Sequence, residues 1–190
     1  NGADINVALN PTALSTTLVL NNATPSDNAT YTCMVKTACQ PNGIVSNGAT
    51  LTVNPATSIA TQPTGTTVCE GTSATLNVVA QGTSLTYQWK KNGTDIFGAT
   101  NSSYVIPSVV LSDAGNYTVV VNGTCAPLSV TSNTATLAVN QRVQITGATL
   151  QNQTVCQGAN VQFVTSAIGT GVTYQWRKNG AAITANSTAL

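Results

Sequence analysis

The segment Tyr87-Gln88-Trp89-Lys90-Lys91-Asn92-Gly93 recurs as Tyr174-Gln175-Trp176-Arg177-Lys178-Asn179-Gly180, a step of 87 positions. The same step carries Val68-Cys69-Glu70-Gly71 onto Val155-Cys156-Gln157-Gly158. A step of 86 positions carries Tyr31-Thr32, Cys39 and Ser46-Asn47 onto Tyr117-Thr118, Cys125 and Ser132-Asn133. A repeat of that length is one small domain, so the 190 residues are a stretch of a tandem array. Its function is expected to lie in repetition and surface display.

The periods set the expected boundaries. Residues 55–140 form one complete unit, residues 1–54 match the second half of a unit and residues 141–190 the first half. Asn1-Gly2-Ala3-Asp4-Ile5 matches Asn92-Gly93-Thr94-Asp95-Ile96, and Asn186-Ser187-Thr188-Ala189-Leu190 resembles Asn10-Pro11-Thr12-Ala13-Leu14. The chain is therefore expected to open inside one domain and to stop inside another, as a cut from a longer array would.

Composition narrows the function classes. Hydrophobic residues at 42% suffice for a core, and the abundant Thr, Ser, Asn and Gly suit strands and turns. Only 6% of residues are charged and the formal net charge is +1, so there is no basic stripe to neutralise phosphates and nucleic acid is not expected as a partner. The apolar runs, such as Val119-Val120-Val121, fall far short of the roughly 20 residues that span a bilayer. No direct membrane insertion is expected in this segment, and any export signal or anchor would lie outside it.

Period-2 patterning predicts the strands. Ala74, Leu76, Val78 and Ala80 alternate with polar or outward positions, and Leu85, Tyr87 and Trp89 share one face. Asn92-Gly93 supplies the positive backbone angles of a tight hairpin. Tyr104 and Ile106, then Tyr117, Val119 and Val121 mark further strands, and Thr134, Thr136 and Ala138 alternate with Ala135, Leu137 and Val139 on a last one. Short strands at this spacing, without a helical pattern, predict an all-β sandwich.

Val78, Trp89 11 positions later, Tyr104-Val105-Ile106 and Asp113-Ala114-Gly115-Asn116-Tyr117-Thr118-Val119 resemble the strand B, C, E and F pattern of immunoglobulin-like domains of the intermediate type. The resemblance covers nearly all of the complete unit. It implies tandem antiparallel β-sandwiches, a buried Trp on strand C and a Tyr at the start of strand F whose hydroxyl bonds back to the preceding corner. Trp89, Trp176, Tyr117 and Tyr31 are the expected core markers. The chain departs from the antibody pattern at the inter-sheet cysteines, because Val78 and Val119 occupy those positions. Cys33 does lie on strand F of the first segment, which suggests a partner on a strand B outside it.

Repetition groups the other cysteines: Cys156 recapitulates Cys69, and Cys39 recapitulates Cys125. A Cys69–Cys125 disulfide within the middle domain is expected from this. Closing a loop of about 57 residues would constrain the unfolded chain by about 4 kcal/mol. Cys33, Cys39 and Cys156 would then be half-cystines with partners outside the segment, and disulfides at this frequency point to an exported protein.

Catalysis has little to work with. The chain has no His, and Asp27 and Asp113 occupy the same corner of successive repeats, where a carboxylate caps the turn before strand F. No metal site or cofactor is expected, since there is no His and no acidic cluster. Phe97, Asn101 and Tyr104 form the candidate ligand loop. The reading that results is a non-catalytic structural or adhesive segment of a long extracellular bacterial surface protein or filament, resembling the repeat regions of large bacterial adhesins. Expected partners are like chains or neighbouring repeats, with cell-surface glycans or proteins as further candidates. The alternatives are a passive spacer for a distant catalytic or binding domain, and a carbohydrate-binding module.

Overall fold

The computed structural model describes residues 11–147 and 150–183. The recurrences at residues 1–5 and 186–190, including Asp4, lie outside the described residues.

In the first segment β1 (Ala29–Tyr31) pairs with β4 (Ala49–Leu51), and β2 (Met34–Thr37) pairs with β3 (Gln40–Val45), both antiparallel. The middle segment carries β5 (Ser58–Thr61), β6 (Thr66–Cys69), β7 (Ala74–Asn77), β8 (Val79–Gln81), β9 (Thr86–Lys91), β10 (Thr94–Asp95), β11 (Ser103–Ile106), β12 (Gly115–Asn122), β13 (Ser129–Thr131) and β14 (Ala135–Asn140). Beyond it lie β15 (Gln144–Ile145), β16 (Ala167–Ile168), β17 (Arg177–Lys178) and β18 (Ala181–Ala182).

The middle segment closes into a two-layer sandwich. One sheet runs β10-β9-β12-β14-β6, and β13 pairs with the far end of β12. β13 and β14 are two parts of one strand run, broken at Ser132. Its N–H donates to Val119 O at 2.9 Å, and its hydroxyl accepts from Val119 N at 3.0 Å. The opposing layer pairs β7 with β11 and β8 with β5. β7 and β8 likewise form one run interrupted at Val78, whose N–H donates to Ser102 O. β6 lies parallel to β14, whereas the other pairings are antiparallel.

Alternation along these strands delivers the core. Ala74, Leu76, Val78, Trp89, Val109, Tyr117, Val119, Val121, Ala135 and Leu137 form a single buried cluster, while Ala80, Leu85, Tyr87 and Val139 pack around it half-buried. Val78 and Val119 are both fully inside, so apolar contact alone holds the layers where an antibody-type domain places its covalent pin. Between β9 and β10, Asn92 and Gly93 take φ of 49° and 84°, the paired positive angles of the expected hairpin turn. Asn179 and Gly180 repeat it at 50° and 84°.

Among the described residues outside the middle segment the same alternation buries nothing. Val35 and Ile44 are more than half exposed in the first segment, as are Val143 and Ile145 in the last. Trp176 corrects an expectation: it is 39% exposed and touches Phe163, at a ring distance of 6.5 Å, in place of a closed core. The physical reason is its cover. Trp89 is capped by β11 and β12, and the described residues 150–183 hold no counterpart of those two strands.

Candidate functional site

Trp89, at the centre of β9, is fully buried. Its ring lies 6.2 Å from Tyr104, which lies 5.9 Å from Tyr117, and its Nε1 donates to Asn101 O at 2.9 Å. The strand C segment is thus core, and the Asn101 backbone is committed to holding it. Gln88 fastens the hairpin behind it, its amide donating to Trp89 O and Ile96 O. Gln175 makes the same two bonds to Trp176 O and Ile183 O, so local geometry repeats even where the core does not close.

The corner before β12 is built as the resemblance implied. Tyr117 Oη donates to Asp113 O at 2.7 Å and Tyr31 Oη to Asp27 O at 2.8 Å. The two carboxylates cap their turns: Val110 N donates to Asp113 Oδ2 and Thr24 N to Asp27 Oδ2. Burial, then the Tyr104 ring hydroxyl and the Asp113 carboxylate, push the Tyr117 hydroxyl up to about 12. Burial and then Asp113 raise Tyr104 as well.

The candidate ligand loop divides. Phe97 is fully exposed at the rim of a shallow depression of about 370 Å³, lined also by Asn101, Tyr104 and Val105. Tyr104, however, is stacked between Trp89 and Tyr117 and offers only an edge. Among the described residues no group of three or more Cys, Asp or Glu is placed to hold a metal ion. No helix among them is long and apolar enough to cross a membrane.

The cysteines give the main correction. The expected Cys69–Cys125 disulfide is not formed, and all five cysteines are free thiols. Register explains why. Cys69 ends β6 opposite Asn140, three residues past Leu137, which faces Gly115 at the start of β12. Cys125 lies beyond Asn122, at the other end of β12. The seven steps of β12 alone separate the two by about 23 Å at about 3.3 Å per residue. A disulfide needs Cα atoms within about 7 Å. The two cysteines belong to opposite poles of the sandwich.

Each pole is also where the chain crosses between segments. At the Cys125 pole the incoming chain buries Thr57, whose hydroxyl donates to Cys125 O at 2.9 Å. Thr124 N and Oγ1 both donate to Thr83 O. At the Cys69 pole Glu70 N donates to Asn140 O, and Arg142 N donates to Glu70 Oε2. The outgoing residue Gln141 then exchanges bonds with Thr170: its N–H donates to Thr170 Oγ1 at 2.8 Å and its carbonyl accepts from Thr170 N at 3.0 Å. The sequence gives no sign of Thr57, Thr83 and Thr170, and it names Ser132 only within a recurrence. The recurrence of Ser46-Asn47 at Ser132-Asn133 is the signal for the last of these.

Residues 57–122 match the immunoglobulin domain family. No curated protein matches the chain in sequence. In structure the chain is similar to the I-band fragment I67–I69 of titin, at 18% identity and a TM-score of 0.55 over 72% of this chain and 50% of that one. It is also similar to an E-to-A variant of the three titin Ig domains I67–I69, at 18% identity and a TM-score of 0.58 over 86% of this chain and 60% of that one. The chain spans half to three fifths of the length of those structures. At this identity the likeness is one of fold, and the fold is that of all-β, Ig-like sandwiches in tandem.

Proposed function

We propose that the chain is a non-catalytic structural segment of an extended extracellular array, in which Ig-like sandwiches joined end to end carry load and present surface for adhesion or filament building. The observation that carries this reading is polarity. The chain enters the closed sandwich at Thr57, beside Cys125, and leaves it at Asn140, beside Cys69, so successive units follow one another along a line. A bacterial surface protein is the setting this reading adopts, supported by the resemblance of the repeats to those of large adhesins.

Self-association of like chains fits the same surface. Charges are 6% of the sequence, and the open edge β11 carries neither Lys nor Pro, the usual protections against edge pairing. Little of such cohesion would be ionic, so assemblies should survive 1 M NaCl, and their complete dissociation there would count against lateral pairing. Electron microscopy of the native material tests the main reading: beaded strings or filaments support it, and compact isolated particles overturn it. The depression beside Phe97 favours a second reading, a carbohydrate-binding module, which an absence of binding across a glycan array would remove.

A further inference from the structure

Four of the five cysteines occupy two positions of the repeat, and the structure assigns those positions to opposite poles. Cys69 and Cys156 occupy the first, which in the middle unit is the end of β6, the strand parallel to the outgoing β14; Cys39 and Cys125 occupy the second, in the turn after β2 and beyond the end of β12. In an end-to-end array each junction brings the outgoing pole of one unit against the incoming pole of the next. Every junction therefore joins one cysteine of the first kind to one of the second.

The hydrogen bonds at the junction bring the two close. In the middle unit Cys125 follows Thr124, which is seated on Thr83 O. The counterpart of Thr83 one step of 87 later is Thr170, preceded by Gly169 with φ of 145°, against 143° for Gly82 before Thr83. Thr170 is the residue bonded to Gln141, and Gln141 follows Asn140, the register partner of Cys69. The seat for the second cysteine of the next unit is thus fastened one residue beyond the position that faces the first cysteine. Cys69 is exposed and Cys125 half-exposed, so both sulfurs are open to chemistry across the junction.

We propose that Cys69 forms a disulfide with the cysteine at the Cys39 or Cys125 position of the unit stacked on its pole, so that the covalent bonds made by these two positions cross the junctions between units. The oxidant is a small-molecule disulfide such as oxidised glutathione. One protein thiolate attacks it, releasing one reduced thiol and leaving a mixed disulfide. The second protein thiolate then displaces the remaining thiol. The S–S bond of the reagent breaks, the protein S–S bond forms, and the two protons and two electrons lost by the protein leave on two reduced thiols.

The test uses the 190-residue chain as a one-to-one mixture of ¹⁴N- and ¹⁵N-labelled molecules, oxidised with glutathione disulfide, alkylated and digested with chymotrypsin without reduction. The expected product is the Cys69 peptide linked to a Cys39 or Cys125 peptide, with the two labels mixed. Links between Cys69 and another Cys69 or Cys156, a Cys69–Cys125 link of one label only, or Cys69 recovered unlinked each overturn the proposal. The same digest of the protein from its natural source separates two origins of the second unit. A unit further along the same polypeptide leaves single chains on a non-reducing gel, and a separate chain gives a ladder.

Discussion

The hydroxyl of Tyr117 donates to the backbone carbonyl of Asp113 across one turn, at 2.7 Å, while its ring is buried against Tyr104. One side chain therefore ties the corner to the core, and Tyr31 and Asp27 repeat the bond in the first segment. Tyr117→Phe keeps the ring and leaves the carbonyl without that donor, so it should destabilise the closed sandwich by about 1–2 kcal/mol, seen as a lower urea midpoint at unchanged slope. An unchanged midpoint would show that the corner stands without the bond.

The same residue predicts alkaline sensitivity. The Tyr117 hydroxyl, at about 12 in the folded chain, lies above its ordinary value of 10.0, so folding favours the neutral phenol. That contribution is fully present below pH 10 and is lost as pH rises from about 10 through about 12. Melting temperature should fall across this window, and Tyr117→Phe should flatten the fall. Absorbance near 295 nm should show a late-titrating tyrosine that moves to its ordinary range when urea unfolds the chain.

Trp89 and Trp176 share a sequence setting but not an environment. Trp89 emission should be blue-shifted and shielded from acrylamide, whereas Trp176, 39% exposed, should be readily quenched. Trp89→Ala should cost about 3–5 kcal/mol, the range for emptying a large aromatic site. Trp176→Ala should cost less than about 1 kcal/mol in this chain. Equal quenching of the two single-Trp variants would contradict the assignment.

Ser132 and Ser46 form a second matched pair. Ser132 Oγ accepts from the buried Val119 N and donates to Asn133 O, and Ser46 Oγ accepts from Cys33 N and donates to Asn47 O. Ser132→Ala strands a buried N–H and should cost about 1–3 kcal/mol, while Ser46→Ala, at an exposed site, leaves its N–H to water and should cost a fraction of that. Thermal melts of the two variants compare them directly.

Tension between the two ends of the middle sandwich shears the parallel ladder of β6 on β14, because the strands run the same way between opposite poles. Gly65 lets β6 approach: a Cβ there would meet Thr136 O at 2.6 Å. Gly65→Ala should push the ladder apart and lower the unfolding force of the middle unit in single-molecule pulling, with a smaller effect on its chemical stability. An unaltered force would move the mechanical resistance to another strand pair.

The strand positions, the Asn92-Gly93 and Asn179-Gly180 turns and the buried faces of β7, β9 and β12 were legible in the sequence, because alternation and turn chemistry are local and recur along the chain. The exposure of Trp176 was not. Its residue pattern equals that of Trp89, but cover comes from strands distant in sequence, and local geometry can repeat without it.

The cysteines mark the same boundary. Periodicity alone established which of them are equivalent and that Cys69 and Cys125 are the two kinds. It carries no information on direction along a sheet, so it could not tell a pair within one sandwich from a pair across a junction. Tertiary structure separates the two cysteines within one sandwich through one pairing: β6 lies parallel to β14 and ends where the chain leaves, while β12 runs the other way and delivers Cys125 to where the chain enters. Strand direction is set by how the layers close over a shared core, which no single repeat of residues spells out.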